Sequence, residues 1–216
     1  MNTGPKSGDT RRGLLCDGLD QEHHMAAVNS TMVPLGTAAP DFTLPDTVSG
    51  KPVNMTEYRS GKALLVMFIC NHCPFVVHLR SELAKAAAEF EQSGVAVLAV
   101  SSNDPENYPE DAPAKMTGQA KRAGYTFPYL FDADQSVAKA YKAACTPDFF
   151  LYDKAGKLFY RGQFDASRPN NRTPTTGDDL RQAVASVVSG KPAPAKQWPS
   201  IGCNIKWSMG NEPDYA

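Results

Sequence analysis

The sequence carries almost no charge excess: 22 Lys and Arg stand against 23 Asp and Glu in 216 residues. No basic stripe breaks that balance, so the electrostatic footprint of a nucleic-acid or anionic-membrane binder is missing. No apolar run approaches the ~20 residues of a membrane-spanning helix. Gly13-Leu14-Leu15-Cys16 is too short for the apolar core of a secretory signal. There is no dinucleotide fingerprint, no phosphate-cradling glycine loop and no Ser-His-Asp pattern. Cysteine is sparse and odd in number, five in all. That count does not make a neat disulfide framework, and the expected setting is a reducing, cytoplasmic one.

What is present centres on Leu64-Leu65-Val66-Met67-Phe68-Ile69-Cys70-Asn71-His72-Cys73-Pro74. A continuous apolar run without polar alternation fits a strand buried on both faces. Pro74 suits the first turn of a helix, where its missing N–H would be unpaired anyway. Phe75, Val76, Leu79, Leu83, Ala86, Ala87 and Phe90 then recur at helical spacing. The pattern is strand, Cys-x-x-Cys, helix. A thiol at a helix N-terminus meets unpaired N–H groups and the positive end of the helix dipole, and both favour thiolate. In a strand–helix–strand unit the pair reads as redox-active, with an inert pair and half of a zinc site as the alternatives.

The remaining chain divides into a leader or disordered segment (1–33), a folded domain (34–192) and an irregular C-terminal tail (193–216). Cys16 and His23-His24 fall in the first segment and are expected to be bystanders; Met25 or Met32 is a candidate native start. Ala39 to Asp46 and Pro52 to Met55 read as short strands, with Thr56 capping a single turn. Ala63 to Ile69 is the central strand, a helix runs to about Gln92, and Val95 to Val100 is a second buried strand, parallel to the first. Further along, the pattern predicts a helix over Ala114 to Ala123, a strand over Thr126 to Phe131 and a short helix capped by Asp132 or Asp134. Cys145-Thr146-Pro147-Asp148 reads as a turn. A hairpin about Asp153-Lys154-Ala155-Gly156 and a helix opened by Gly177-Asp178-Asp179 follow. Trp198 and Trp207 lie in the tail, which has too little periodicity for an element; two tryptophans predict that it folds back on the domain.

This order resembles the thioredoxin fold: an α/β, three-layer architecture with a central mixed sheet, here with an N-terminal β extension. Ala39-Pro40-Asp41-Phe42-Thr43-Leu44-Pro45-Asp46 with Gly50-Lys51 is similar to the opening of the peroxiredoxin (alkyl hydroperoxide reductase / thiol-specific antioxidant) branch. Cys70-Asn71-His72-Cys73-Pro74-Phe75-Val76, Thr146-Pro147-Asp148-Phe149-Phe150 and Ser200-Ile201-Gly202-Cys203-Asn204-Ile205-Lys206-Trp207 resemble a peroxiredoxin-like subgroup of it. The resemblance implies that Cys70 attacks, Cys73 resolves and Pro147 is a cis-proline facing them. It also implies that the backbone of Thr146 pairs with a substrate strand. His72 stands where strongly oxidising relatives place a thiolate-holding histidine. The sequence departs from both parent patterns: Ile69 and Asn71-His72 replace the Trp and Gly-Pro of thioredoxins, and Cys70 stands where peroxiredoxins place threonine. Either cysteine can then be the nucleophile. The family also implies an arginine near the thiolate, with Arg122, Arg161 and Arg168 as candidates.

Three functions fit. The first is thiol–disulfide exchange on a protein or small disulfide, with an unidentified thiol as electron donor and with Cys70, just ahead of the helix, expected to be the more exposed and the more acidic of the pair. The second is peroxide reduction through a sulfenic acid, resolved by the other member of the pair, Cys145 or Cys203. The third is a cysteine-ligated metal site built from Cys70, Cys73, Cys145 and Cys203. The redox readings need no cofactor and no nucleic-acid or membrane partner; oligomeric state has no signature in the sequence.

Overall fold

A computed structural model describes residue 1 and residues 27–215. Cys16, His23-His24 and Met25 lie outside the described residues. The N-terminal strands are short: β1 (Ala27–Asn29), β2 (Thr43–Pro45) and β3 (Pro52–Asn54). Strand β4 (Ala63–Phe68) runs into the cysteine loop and α1 (Pro74–Gln92), and β5 (Val95–Ser101) returns. Then come α2 (Pro113–Ala123), β6 (Tyr129–Phe131), α3 (Ser136–Tyr141), β7 (Cys145–Thr146), β8 (Asp148–Asp153), β9 (Leu158–Gly162), α4 (Asp178–Val188) and β10 (Ile201–Asn204).

The main sheet has the order β6-β5-β4-β8-β9. β4, β5 and β6 are parallel, while β8 and β9 run antiparallel to their neighbours. β4 lies at its centre, and all six of its residues are buried. Ala63, Leu65, Met67 and the following Ile69 join the core that also holds Val76, Leu83, Met116 and Leu180 from α1, α2 and α4. Leu64, Val66 and Phe68 point to the opposite core, with Val137 and Tyr141 of α3 and Leu44 and Val53 of β2 and β3. The period-2 geometry of a strand splits a continuous apolar run between two cores, which is why the run needs no polar alternation. Helix α1 buries Val76, Leu79, Leu83, Ala86, Ala87 and Phe90, the stripe its spacing predicts, while Phe75 is only partly covered.

The structure corrects the sequence reading at several elements. Asn54, not Thr56, caps the turn over Met55–Ser60: its side chain accepts from the Thr56 N–H at 3.0 Å. Asp132 and Asp134 both serve α3, Asp132 accepting from Val137 and Ala138 and Asp134 from Ser136. Ala27–Asn29, expected to lie in a disordered segment, is a strand. It pairs with β10, inside a tail expected to have no element, and β10 pairs with β7, expected to be a turn. Local periodicity could not reveal these three because each is two to four residues long and held by partners far along the chain. The tail does pack on the domain, but the tryptophans divide: Trp207 is partly buried against the second core, whereas Trp198 is 47 % exposed beneath the Lys196 ammonium. No helix among the described residues is long and apolar enough to cross a membrane.

Leu65 is fully buried at the centre of this sheet. Leu65→Ala should cost about 2–5 kcal/mol, as truncated core leucines do. Urea unfolding checks this, with Val48→Ala, at 42 % exposure, as the near-neutral control. A loss under about 1 kcal/mol for Leu65→Ala would show that β4 is not the core of the sheet.

Candidate active site

The C-terminal end of β4 delivers Ile69 and Cys70 to the sheet edge, and the N-terminus of α1 begins at Cys73, its N-cap residue. Pro74 takes the first helical position, where no N–H is needed. Across from this turn stands Thr146, followed by a cis bond to Pro147, the isomer the family pattern implies. Thr146 touches both cysteines. Its Oγ1 lies 3.4 Å from Cys70 Sγ, and its carbonyl accepts from the Cys73 thiol at 3.1 Å. Pro147 lines a cleft with Phe75, His78 and Phe164 that leads outward from this corner.

All four described cysteines are buried and reduced. Cys70 retains 2 % exposure and Cys73 none, so only a slight difference in access separates them. Their acidities run opposite to the expectation that Cys70 is the more acidic. Cys73 is held well below an ordinary thiol because it accepts hydrogen bonds from the thiols of Cys203 and Cys70, and also from the backbone N–H groups of Val76 and Cys203. Burial opposes this, and ionising Cys73 also gives up its bond to the Thr146 carbonyl. The donors prevail over burial, and Cys73 is the more acidic thiol of the pair. Burial pushes Cys70 up, reinforced by its donation to Cys73 and the nearby Asp111 carboxylate. Cys203 is pushed up first by its hydrogen bond to Cys73 and then by burial. Burial also raises Cys145, whose thiol turns away to the Pro147 carbonyl at 3.7 Å.

Asp111, a residue with no motif to mark it, organises the loop between the cysteines. Fully buried, it accepts from the Asn71 N–H at 2.7 Å and from Asn103 Nδ2 at 2.7 Å, and pairs with His72 Nδ1 at 2.6 Å. His72 therefore faces a carboxylate through Nδ1, stacks on Tyr108 at 5.5 Å and leaves Nε2 buried without a partner. Arg80 reaches back to the Asn71 carbonyl at 2.8 Å, and Tyr129 donates to Asn71 Oδ1 at 3.2 Å. Arg80 was findable: it lies two helical turns after Cys73 on the same face, and helical side chains lean toward the N-terminus. Of the arginines singled out from sequence, Arg122 bonds to Gln119 and Arg161 to Val33 and Gln197, whereas Arg168, bonded to Asp165, Ser167 and Gln163, lines the cleft beside Pro147. Among the described residues, ligand atoms converge within 4.8 Å at Cys70, His72 and Asp111, not at four sulfurs. His72 and Asp111 already pair with each other, so the trio reads as a hydrogen-bond network.

Residues 35–161, which include Cys70, Cys73, Thr146 and Pro147, match the AhpC/TSA family. The chain belongs to this family. Its α/β fold is the thioredoxin-like one. The chain is 34 % identical to the thiol-disulfide oxidoreductase ResA of Geobacillus thermodenitrificans over 131 residues, 59 % of this chain and 68 % of that protein. It is 27 % identical to a putative peroxiredoxin of Mycobacterium tuberculosis over 114 residues, 53 % of this chain and 67 % of that protein. An uncharacterized conserved protein from Geobacillus kaustophilus has a solved structure similar at a TM-score of 0.85 and 50 % identity, covering 86 % of this chain and 98 % of that one. The names of these relatives span both redox reactions, and β10 and Cys203 lie beyond residues 35–161.

The hydrogen bonds around Cys73 predict a thiolate in the reduced protein at pH 6, where an ordinary cysteine is roughly 0.3 % ionised. Ultraviolet absorbance near 240 nm should report about one thiolate at that pH. Cys73→Ser should remove it and Cys70→Ser should keep it. Absorbance that appears only around pH 8 to 9 would contradict the assignment.

Proposed function

We propose that the chain is a thiol–disulfide oxidoreductase whose Cys70–Cys73 dithiol exchanges with protein or small disulfides, with a thiol as its redox partner. The observation that carries this reading is the convergence of both sulfurs on Thr146, beside the cis-Pro147 corner and at the start of α1. The relationship to ResA supports the same reaction class.

The two sulfurs divide the work. Cys70 retains the only exposure of the pair and meets substrate first. It passes its proton to the Cys73 thiolate along the hydrogen bond they share, and attacks one substrate sulfur. The substrate disulfide breaks, a mixed disulfide forms at Cys70, and the departing thiolate takes the proton from Cys73. Cys73 then attacks Cys70, the second substrate thiolate leaves, and the Cys70–Cys73 disulfide remains. His72, held by Asp111, and Thr146 position the loop rather than exchange bonds.

A second reading is favoured by one observation. Cys73 precedes Pro74, as the attacking cysteine of peroxiredoxins does, and is the sulfur that holds the charge. In that case Cys73 attacks peroxide, becomes a sulfenic acid and is resolved by a neighbouring thiol.

Turnover with a small aromatic disulfide separates the two. Cys70→Ser should fall to the uncatalysed rate, and Cys73→Ser should stall as a mixed disulfide on Cys70, visible by mass spectrometry. Full activity of Cys73→Ser without an adduct would rule out the dithiol cycle. A peroxide-dependent sulfenic acid on Cys73 in Cys70→Ser, with no reactivity toward disulfides, would establish the peroxidase instead.

A further inference from the structure

The backbone of Thr146, which the family pattern assigns to a substrate strand, is already paired. β10 lies antiparallel to β7, with Cys203 opposite Thr146 and Asn204 opposite Cys145. β1 then covers the far edge of β10, placing Ala27 opposite Cys203, so β10 is the middle strand of three. The contact is intimate at Gly202: a Cβ there would lie 2.0 Å from the Thr146 carbonyl oxygen, so only glycine lets the two backbones meet. Thus the chain's own strand sits in the position of a substrate strand, next to the cis-proline, and carries a cysteine. Both the N–H and the thiol of Cys203 hydrogen-bond the Cys73 sulfur, and Cys203 is 2 % exposed. Closing from a shared hydrogen bond to the ~2 Å of an S–S bond is a side-chain movement.

We propose that Cys203 is a third redox thiol of this site, which takes over the disulfide from Cys70–Cys73 by internal exchange. The inference rests on the dithiol reading above and extends it. The Cys203 sulfur, as thiolate, attacks Cys73 Sγ of the Cys70–Cys73 disulfide. The Cys73–Cys203 bond forms as the Cys70–Cys73 bond breaks. The electron pair leaves on Cys70, which takes up the proton that Cys203 released. One disulfide and one thiol stand on each side of the step, so no external oxidant enters. The attack falls on Cys73 because that is the sulfur Cys203 touches. The timing follows from the same contact. While Cys73 is a thiolate, it holds the proton on Cys203; once Cys73 is in a disulfide that hold is gone, and the nearby Lys206 charge favours the Cys203 thiolate. The product keeps the disulfide inside the protein and returns Cys70 as a thiol at the outer side of the site.

Disulfide mapping tests this on the full chain. The reduced protein is oxidised with one equivalent of a small disulfide, quenched in acid at successive times, alkylated and digested with pepsin. The expected sequence is a Cys70–Cys73 linkage first, replaced by Cys73–Cys203 with Cys70 alkylatable. In Cys70→Ser, which cannot form the first disulfide and whose Cys73 is fully buried, neither linkage should form. Cys203→Ala should stop at Cys70–Cys73, and Gly202→Ala, which pushes β10 off Thr146, should lose the second linkage while keeping the first. Circular dichroism confirms that both variants fold. A Cys70–Cys73 disulfide that persists with Cys203 unreacted would overturn the relay while leaving the dithiol reading intact. A Cys73–Cys203 linkage in Cys70→Ser, with no Cys70–Cys73 linkage in the unaltered protein, would overturn the dithiol reading and the exchange step with it.

Discussion

Thr146 is the contact on which the site depends. Its hydroxyl lies against Cys70, its carbonyl accepts from Cys73, and its backbone pairs with Cys203. Those three cysteines come from the end of β4, the start of α1 and the C-terminal strand, which are far apart along the chain. Only a residue at the corner between β7 and β8 can touch all of them, and the cis bond to Pro147 sits at that corner. Removing water from three neighbouring thiols disfavours charge on any one of them. The hydrogen bonds converging on Cys73 reverse that for a single sulfur, and they exist because the corner holds the other two in place.

A second network braces the loop from the opposite side. Buried Asp111 gathers the Asn71 N–H, His72 and Asn103. Asn103 in turn accepts from the Lys206 N–H at 2.9 Å, just after β10. The segment Cys203 to Lys206 thus meets the cysteine loop twice, once through Cys73 and once through Asn103 and Asp111. A buried carboxylate is tolerated when its oxygens are hydrogen-bonded, and here three partners meet that condition. The C-terminal segment is therefore part of the active-site scaffold rather than a tail laid over it.

Much of this was readable from residue patterns. The run from Leu64 to Ile69 announced a strand buried on both faces, and the helix stripe from Val76 to Phe90 matched its burial residue for residue. The Cys-x-x-Cys position and the Thr146-Pro147 corner followed from strand–helix order and family resemblance. What was not readable shares one physical cause. Asp111 lies in a Pro-flanked stretch without periodicity, and β1, β7 and β10 are too short to impose any; each is defined by a partner distant in sequence. Register between such pieces is set by tertiary contact, so the union of Cys203 with Cys73, and the reversal of acidity within the pair, appear only in three dimensions.

The central claim is that the site stabilises the reduced form by holding a thiolate on Cys73. Stabilising the dithiol relative to the disulfide raises the potential, by about 30 mV for each 1.4 kcal/mol in a two-electron couple. Equilibration in glutathione redox buffers, with the oxidised fraction read by alkylation and mass, measures it directly. The account predicts a reduction potential clearly less negative than the ~−270 mV of thioredoxin. A value at or below that figure would contradict it.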